Sequence, residues 1–293
     1  MITDGELFDL EHAVERALNS GDISELSLLG EGEITLVLRG GTEGAWACKR
    51  LPPFVTGDAA GRYAATIDRY VGELRCRGAN VLDTDVRRIA GAPIGGRETT
   101  VLYCVQPVLP PRTQAVDVAR DDPTGAPTLL ADIVEVVLST VDATTGLDAQ
   151  LSNWAVVDGR LTYFDVTTPL LRRADGTTEL DIEVFLTSMP WALRPPVRRF
   201  IVPGIIERYH DPRTVTLDLA SNLLKEGLDE LVPSVLAATE GRVAVPLTLD
   251  EVRADRRSDA RTWAALQAVR RADRAWQRHV RRRSYPFLLP SRS

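Results

Sequence analysis

Leu7, Leu10, Val14 and Leu18 recur at three- and four-residue intervals, so residues 6–19 carry the apolar stripe of an amphipathic helix. The period then shortens. In "EITLVL", Ile34, Leu36 and Leu38 alternate with Thr35 and Val37, the two-residue period of a strand. The turn "RGGTEG" leads into a second strand, "AWACKRL", which "PP" ends. Residues 58–77, "DAAGRYAATIDRYVGELRCR", return to helical texture, with Gly78 and Asn80 as stop signals. "VRRIAGAPIGGRETTVLYCVQPVLPP" reads as two strands about a glycine-containing turn, broken at Gln106-Pro107. This half predicts a five-stranded, mostly antiparallel sheet with one crossing helix.

A polar stretch, "RTQAVDVARDDPTGAPT", separates that half from a different texture. "LLADIVEVVLSTVDATTG" predicts a largely buried helix, and two short strands, "NWAVV" and "LTYFDV", flank the turn "DGR". Helical segments are expected at 179–189, 195–209, 216–238 and 249–282. Strands first and helices afterwards predict an α+β chain of two unequal lobes. The β-rich lobe spans 1–106 and the helical lobe 107–293, with the boundary near Pro107–Pro111.

Composition narrows the function. The chain has 293 residues, 44% of them hydrophobic, enough to build real cores. A net charge of −6 argues against a general affinity for nucleic acid. No apolar run approaches the roughly 18–20 residues a membrane span needs. The N-terminus is acidic and amphipathic, without the basic and apolar sections of a signal peptide, so a cytoplasmic protein is expected. Cys48, Cys76 and Cys104 are an odd, scattered set, and His12, His210 and His279 lie far apart, which argues against a disulfide scaffold and a zinc site. Only two lysines, Lys49 and Lys225, stand against 33 arginines. A compact ammonium retained in such a chain marks a place where the wide guanidinium fork would not serve.

The candidate chemistry follows the chain order. Gly30 and Gly32, in "LGEGEITLVL", sit on a turn between strands, where backbone N–H groups can approach phosphate oxygens. Lys49, on the next strand, can reach nucleotide phosphates. It needs a counter-charge, for which Glu73 on the following helix is preferred and Asp68 is the competitor. "GLDAQLSNWAV" and "LTYFDVTTP" supply two acids around an amide. Asp148 can orient an attacking hydroxyl and accept its proton, while Asn153 and Asp165 offer the hard oxygen donors that Mg²⁺ prefers. Antiparallel pairing about "DGR" sets 153 and 165 nearly opposite each other.

These pieces, "GEGEIT", "ACKR", "GELR", "VQPVLP", "DAQLSN" and "FDV", stand in the order found in the protein-kinase-like superfamily. The chain resembles its small-molecule branch, the aminoglycoside phosphotransferases and choline kinases. The resemblance covers residues 26–170 by motif. It implies ATP and Mg²⁺ as cofactors, transfer of the γ-phosphoryl group to a hydroxyl, and an adenine held by connector backbone near Gln106, Val108 and Leu109. Three departures stand out: Gly146 replaces the usual loop-bracing histidine, Thr35 the third glycine, and "VTTP" the residues after the metal acid. Trp191, Arg194, Tyr209, His210 and the Trp263–Trp276 region are candidates for lining the acceptor site. The expected function is phosphoryl transfer to a small metabolite. Transfer to Ser/Thr of a peptide and a nucleotide-binding scaffold without turnover are the alternatives.

Overall fold

The computed structural model describes residues 1–31, 35–94, 96–186 and 194–258. Helix α1 (Asp4–Ser20) begins at a capping box between Thr3 and Glu6 and stops at Gly21, whose φ of 80° a side chain would strain. Strands β1 (Leu28–Glu31), β2 (Leu36–Gly40) and β3 (Trp46–Arg50) follow. Helix α2 (Gly57–Cys76) then leads to β4 (Asp85–Ile94) and β5 (Arg97–Pro107). The five strands form one sheet in the order β1-β2-β3-β5-β4, with every neighbouring pair antiparallel.

Helices cover both faces of this sheet, which explains why β5 reads as an unbroken apolar run. Val101, Tyr103 and Val105 pack with Leu7, Val14 and Ala17 of α1, whereas Leu102 and Cys104 pack with Tyr63, Ile67 and Leu74 of α2. The same alternation sorts β3. Cys48 joins the α1 cluster, and the Arg50 guanidinium grips Glu11 of α1 through Nε at 2.7 Å and a terminal nitrogen at 2.6 Å. Tyr103 donates a third hydrogen bond to Glu11 at 2.7 Å, so this fully buried carboxylate is satisfied. Lys49, between Cys48 and Arg50, is thereby directed to the α2 side.

The remainder is mostly helical, as an α+β chain requires. Helices α3 (Ala115–Asp121) and α4 (Ala126–Thr140) precede a hairpin of β6 (Trp154–Val157) and β7 (Arg160–Tyr163). Its turn residues Asp158 and Gly159 have φ of 50° and 73°, the left-handed pair that an Asp-Gly hairpin turn demands. Short turns α5 (Glu183–Leu186) and α6 (Arg194–Pro196) and helix α7 (Val202–Arg208) follow. Then come α8 (Pro212–Glu226), α9 (Val232–Thr239) and a helix over 249–258. One apolar core runs from α2 through α4 and the hairpin to α8 and α9. Among the described residues, no helix is long and apolar enough to cross a membrane. All three cysteines are free.

Several expected boundaries need correction. The helix expected over 216–238 is two helices, because Gly227 adopts φ 70° and closes α8, and Pro233 opens α9. The polar stretch before α4 hides α3, whose Ala115, Val116 and Ala119 are buried. The helix expected from Leu129 starts at Ala126 and stops at Thr140, where Asp142 caps the following turn through the Thr144 and Thr145 N–H groups. Of 179–189, only Glu183–Leu186 is helical among the described residues. The expected helix beyond 258 lies outside them.

Candidate functional site

Residues 146–153 run between the hairpin and the helices, and backbone bonds fix them at both ends. The Gly146 N–H donates to the Leu170 carbonyl at 2.8 Å, and the Leu147 N–H to the Tyr209 carbonyl at 3.1 Å. From α2, the Tyr70 hydroxyl donates to the Gly146 carbonyl at 2.9 Å. From α8, Asn222 accepts the Leu151 N–H at 2.9 Å. The closeness explains Gly146. A Cβ there would lie 2.8 Å from the Tyr209 carbonyl oxygen and 3.0 Å from the His210 ring, so the histidine that the resemblance leads one to expect has no room. His210 is buried against this spot, with Nδ1 at 2.9 Å from the Ile206 carbonyl, and burial lowers its pKa.

Within that frame the two acids and the amide meet. The hairpin register pairs Trp154 with Tyr163, and the Phe164 N–H donates to the Asn153 carbonyl at 3.1 Å, which places Asp165 one residue past Asn153's partner. Asn153 donates through Nδ2 to the Asp148 carbonyl at 3.1 Å, leaving its side-chain oxygen without a donor among the described residues. Asp165 takes all its contacts on one oxygen: Lys49 Nζ at 2.7 Å, Thr167 Oγ1 at 2.8 Å and the Thr167 N–H at 3.4 Å. Its Oδ2 receives no hydrogen bond among the described residues. The Tyr63 hydroxyl, from α2, donates to the Thr167 carbonyl at 2.9 Å and steadies that turn.

The two carboxylates are held in opposite protonation regimes. Burial alone would raise Asp165, but the Lys49 charge and hydrogen bond, with Thr167, outweigh it and hold the pKa below the ordinary 3.8. Asp148 lacks such a partner. Burial, and then the neighbouring charges of Asp218 and Asp165, push it up to about 7. A carboxylate poised near neutrality suits a general base, and an ionised one suits a cation.

Other expected residues lie elsewhere. Glu73 does not meet Lys49. Its carboxylate receives Arg77 Nε at 2.6 Å, one helical turn away, and that local pairing wins over a remote one. Asp68 forms no ion pair with Lys49 either, so Asp165 is the carboxylate that answers the lysine among the described residues. Gly30 sits in β1 opposite Val37 with open space beside its Cα, while Gly32 lies outside the described residues. Gln106 is buried, and its side chain donates to Thr84 and to the Phe164 carbonyl, both at 2.8 Å, so it braces the metal-acid turn. Val108 spends its N–H on the Ala45 carbonyl at 2.9 Å and cannot offer it to an adenine. The Leu109 N–H has no hydrogen-bond partner among the described residues. Trp191 and the Trp263–Trp276 region also lie outside the described residues. Arg194 falls on α6.

Sequence reasoning missed Gln150 and Asp218. Gln150 Nε2 donates to Asp218 Oδ2 at 3.3 Å, which sets an α8 carboxylate beside Asp148. The Asp-x-x-x-Asn spacing of Asp218 and Asn222 along α8 is the only trace in sequence, and it is too common to single out.

A cation fits this donor set only as part of a complex. Asp165 is ionised with an open oxygen, and the Asn153 amide oxygen is open beside it. No group of three or more His, Cys, Asp or Glu among the described residues could hold an ion alone. Mg²⁺ bound by one or two protein oxygens plus phosphates and water has this requirement.

Comparison with known proteins adds the following. Solved structures similar to this chain include "WaaP in complex with acyl carrier protein", 15% identical with a TM-score of 0.35, covering 79% of this chain and 95% of that one. The MAP kinase LmaMPK10 from Leishmania major is 15% identical with a TM-score of 0.30, over 85% of this chain and 94% of that one. The ROP18 kinase domain in complex with AMP-PNP and sucrose is 14% identical with a TM-score of 0.34, over 80% and 91%. Superpositions this loose carry no weight for the site. No curated protein matches the chain. A family model does match, over residues 9–274, and the chain therefore belongs to DUF6206, a family of unknown function.

Proposed function

We propose that this chain is an ATP- and Mg²⁺-dependent phosphotransferase that moves the γ-phosphoryl group to a hydroxyl of a small metabolite. The observation that carries the reading is the joint placement of Lys49, Asp165, Asn153 and Asp148. A strand ammonium at 2.7 Å from one oxygen of an ionised carboxylate stands across from a second carboxylate whose pKa is near 7. When bound, MgATP supplies the phosphoryl group and a divalent charge on its phosphates. Lys49 would orient the phosphates, and Asp165 Oδ2 and the Asn153 amide oxygen would hold the cation. Asp148 orients the acceptor hydroxyl and receives its proton as the acceptor oxygen–phosphorus bond forms and the bond to the β–γ bridging oxygen breaks. ADP departs with that electron pair. Fixed charges in a site sheltered from water do most of the work in such transfers.

The test is a mass-shift and phosphate-release screen of MgATP against metabolites and peptides, with Asp148→Asn and Asp165→Ala as controls. The reading requires an acceptor that gains a phosphoryl group in wild type and not in either variant. Absence of transfer and of MgATP hydrolysis above the Asp165→Ala background would overturn it. Transfer confined to peptides would move the acceptor from a metabolite to a side chain.

A further inference from the structure

Beside Asp148, a cavity of about 20 Å³ opens between the loop and α8, lined by Gln150, Asp218, Ser221, Asn222, Lys225 and Arg256. Asp218, Ser221, Asn222 and Lys225 recur at three- and four-residue spacing, so they share one face of α8. Asp218, near Asp148, brings a negative charge to this lining, and Lys225, two turns further along α8, and Arg256 bring positive charge.

The acids around Lys225 are occupied. Asp218 receives Gln150 at 3.3 Å and lies 3.8 Å from Arg208. Asp255 receives Ser221 at 2.6 Å and Arg208 at 2.7 Å. Glu226, next in sequence, lies 3.5 Å from Arg120. Lys225 therefore has no ion-pair partner among the described residues, although it is exposed on the cavity rim. A second observation points the same way. The chain keeps two lysines against 33 arginines; Lys49 answers Asp165, and Lys225 lines this cavity.

We infer that the open mouth of this cavity is part of the acceptor subsite, where exposed Lys225 takes an anionic end group, a carboxylate or a phosphate ester, of a molecule whose hydroxyl at the other end is presented to Asp148. The inference rests on the phosphotransfer reading for the role of Asp148, but not for the binding of the anion. The enclosed space has room for little more than one water, so the anion sits at the mouth against Lys225 and not inside. Asp218 and Lys225 are seven residues apart on α8, about 10 Å along the helix, which sets the scale of the spacer between the hydroxyl and the anion. A polycationic acceptor would meet Lys225 and Arg256 with like charge.

The probes are three matched series of graded chain length: ω-hydroxycarboxylates, ω-hydroxyalkyl phosphates and the corresponding diols. Calorimetry on nucleotide-free protein measures binding, and a coupled assay with MgATP measures transfer. Wild type is expected to bind one or both anionic series about tenfold tighter than the diols, with an optimum at one spacer length. The two anionic series decide between carboxylate and phosphate. Lys225→Met should erase the preference, Lys225→Glu should invert it, and Lys225→Arg should keep it in part. Equal binding of diols and anions, no binding of any probe, or a preference that survives Lys225→Glu overturns the inference. Anion-selective, Lys225-dependent binding with no transfer to any probe overturns only the phosphotransfer reading. Equal kcat/KM for diols and anions, with transfer intact, overturns only the subsite.

Discussion

Replacing Asp148 by Asn removes a charge that the fold resists carrying, and the consequence is measurable without knowing any substrate. Burial and the charges of Asp218 and Asp165 raise the Asp148 pKa from 3.8 to about 7. A raised carboxyl favours the folded chain while protonated. That contribution is complete below the ordinary pKa and is lost as pH rises through the folded one, so between those values the native state loses stability with rising pH. The rise corresponds to about 4 kcal/mol at about 1.4 kcal/mol per pH unit, and access of water to the half-buried group reduces this to about 2–4 kcal/mol. Asn keeps the shape and cannot ionise. At about pH 3.5 the wild-type group is largely protonated in both the folded and the unfolded chain and the two chains should melt together, whereas at about pH 8.5 the variant should be the more stable. At about 2 °C per kcal/mol for a chain of this length, the gain in Tm is about 4–8 °C. Calorimetric melts at matched ionic strength provide the assay. An equal difference at both pH values, or a variant less stable at high pH, would show that the fold welcomes the Asp148 charge, and the account of the base would fail.

Three further outcomes follow from particular contacts. Asp218→Asn removes a neighbouring negative charge, so the acidic limb of the pH–kcat profile should move to lower pH; an unmoved limb would separate Asp218 from Asp148. Lys49→Ala should lower turnover by about a hundredfold or more, whereas Glu73→Gln, whose partner is Arg77, should change it by less than about twofold; steady-state rates that fall together would restore Glu73 to the site. Gly146→Ala forces a Cβ against the Tyr209 carbonyl and should cost about 1–3 kcal/mol in denaturant titrations; no loss would mean that the loop yields.

What the sequence reveals depends on how local the determining physics is. The stripe of α1, the alternation of β2 and β3 and the capped run of α2 are set by neighbours a few residues apart, and all are legible. The gathering of Asn153 and Asp165 is legible because a two-residue Asp-Gly turn fixes the hairpin register. Lys49's orientation needs one more step, the knowledge that α1 covers the other face of the sheet. Glu73 misleads because Lys49 is remote and Arg77 is one turn away. Val108 misleads because its bond to Ala45 continues the β3–β5 ladder one pair beyond Trp46 and Pro107, where the proline signals that pairing has ended. Gln150, Asp218 and Lys225 meet only when α8 docks on the loop, so sequence alone gives their chemistry no address. The break between α8 and α9 is written in Gly227, but the apolar pattern runs through it and conceals the left-handed turn.

The central claim is that Lys49, Asp165 and Asn153 form one receptor for a metal–nucleotide complex. Equilibrium titration of ATP, with Mg²⁺ and with a chelator, into wild type and Asp165→Ala tests it most directly. The account predicts saturable binding by wild type that Mg²⁺ strengthens, and loss of that Mg²⁺ dependence in the variant. Failure of wild type to bind, or binding that neither Mg²⁺ nor the substitution alters, would contradict it.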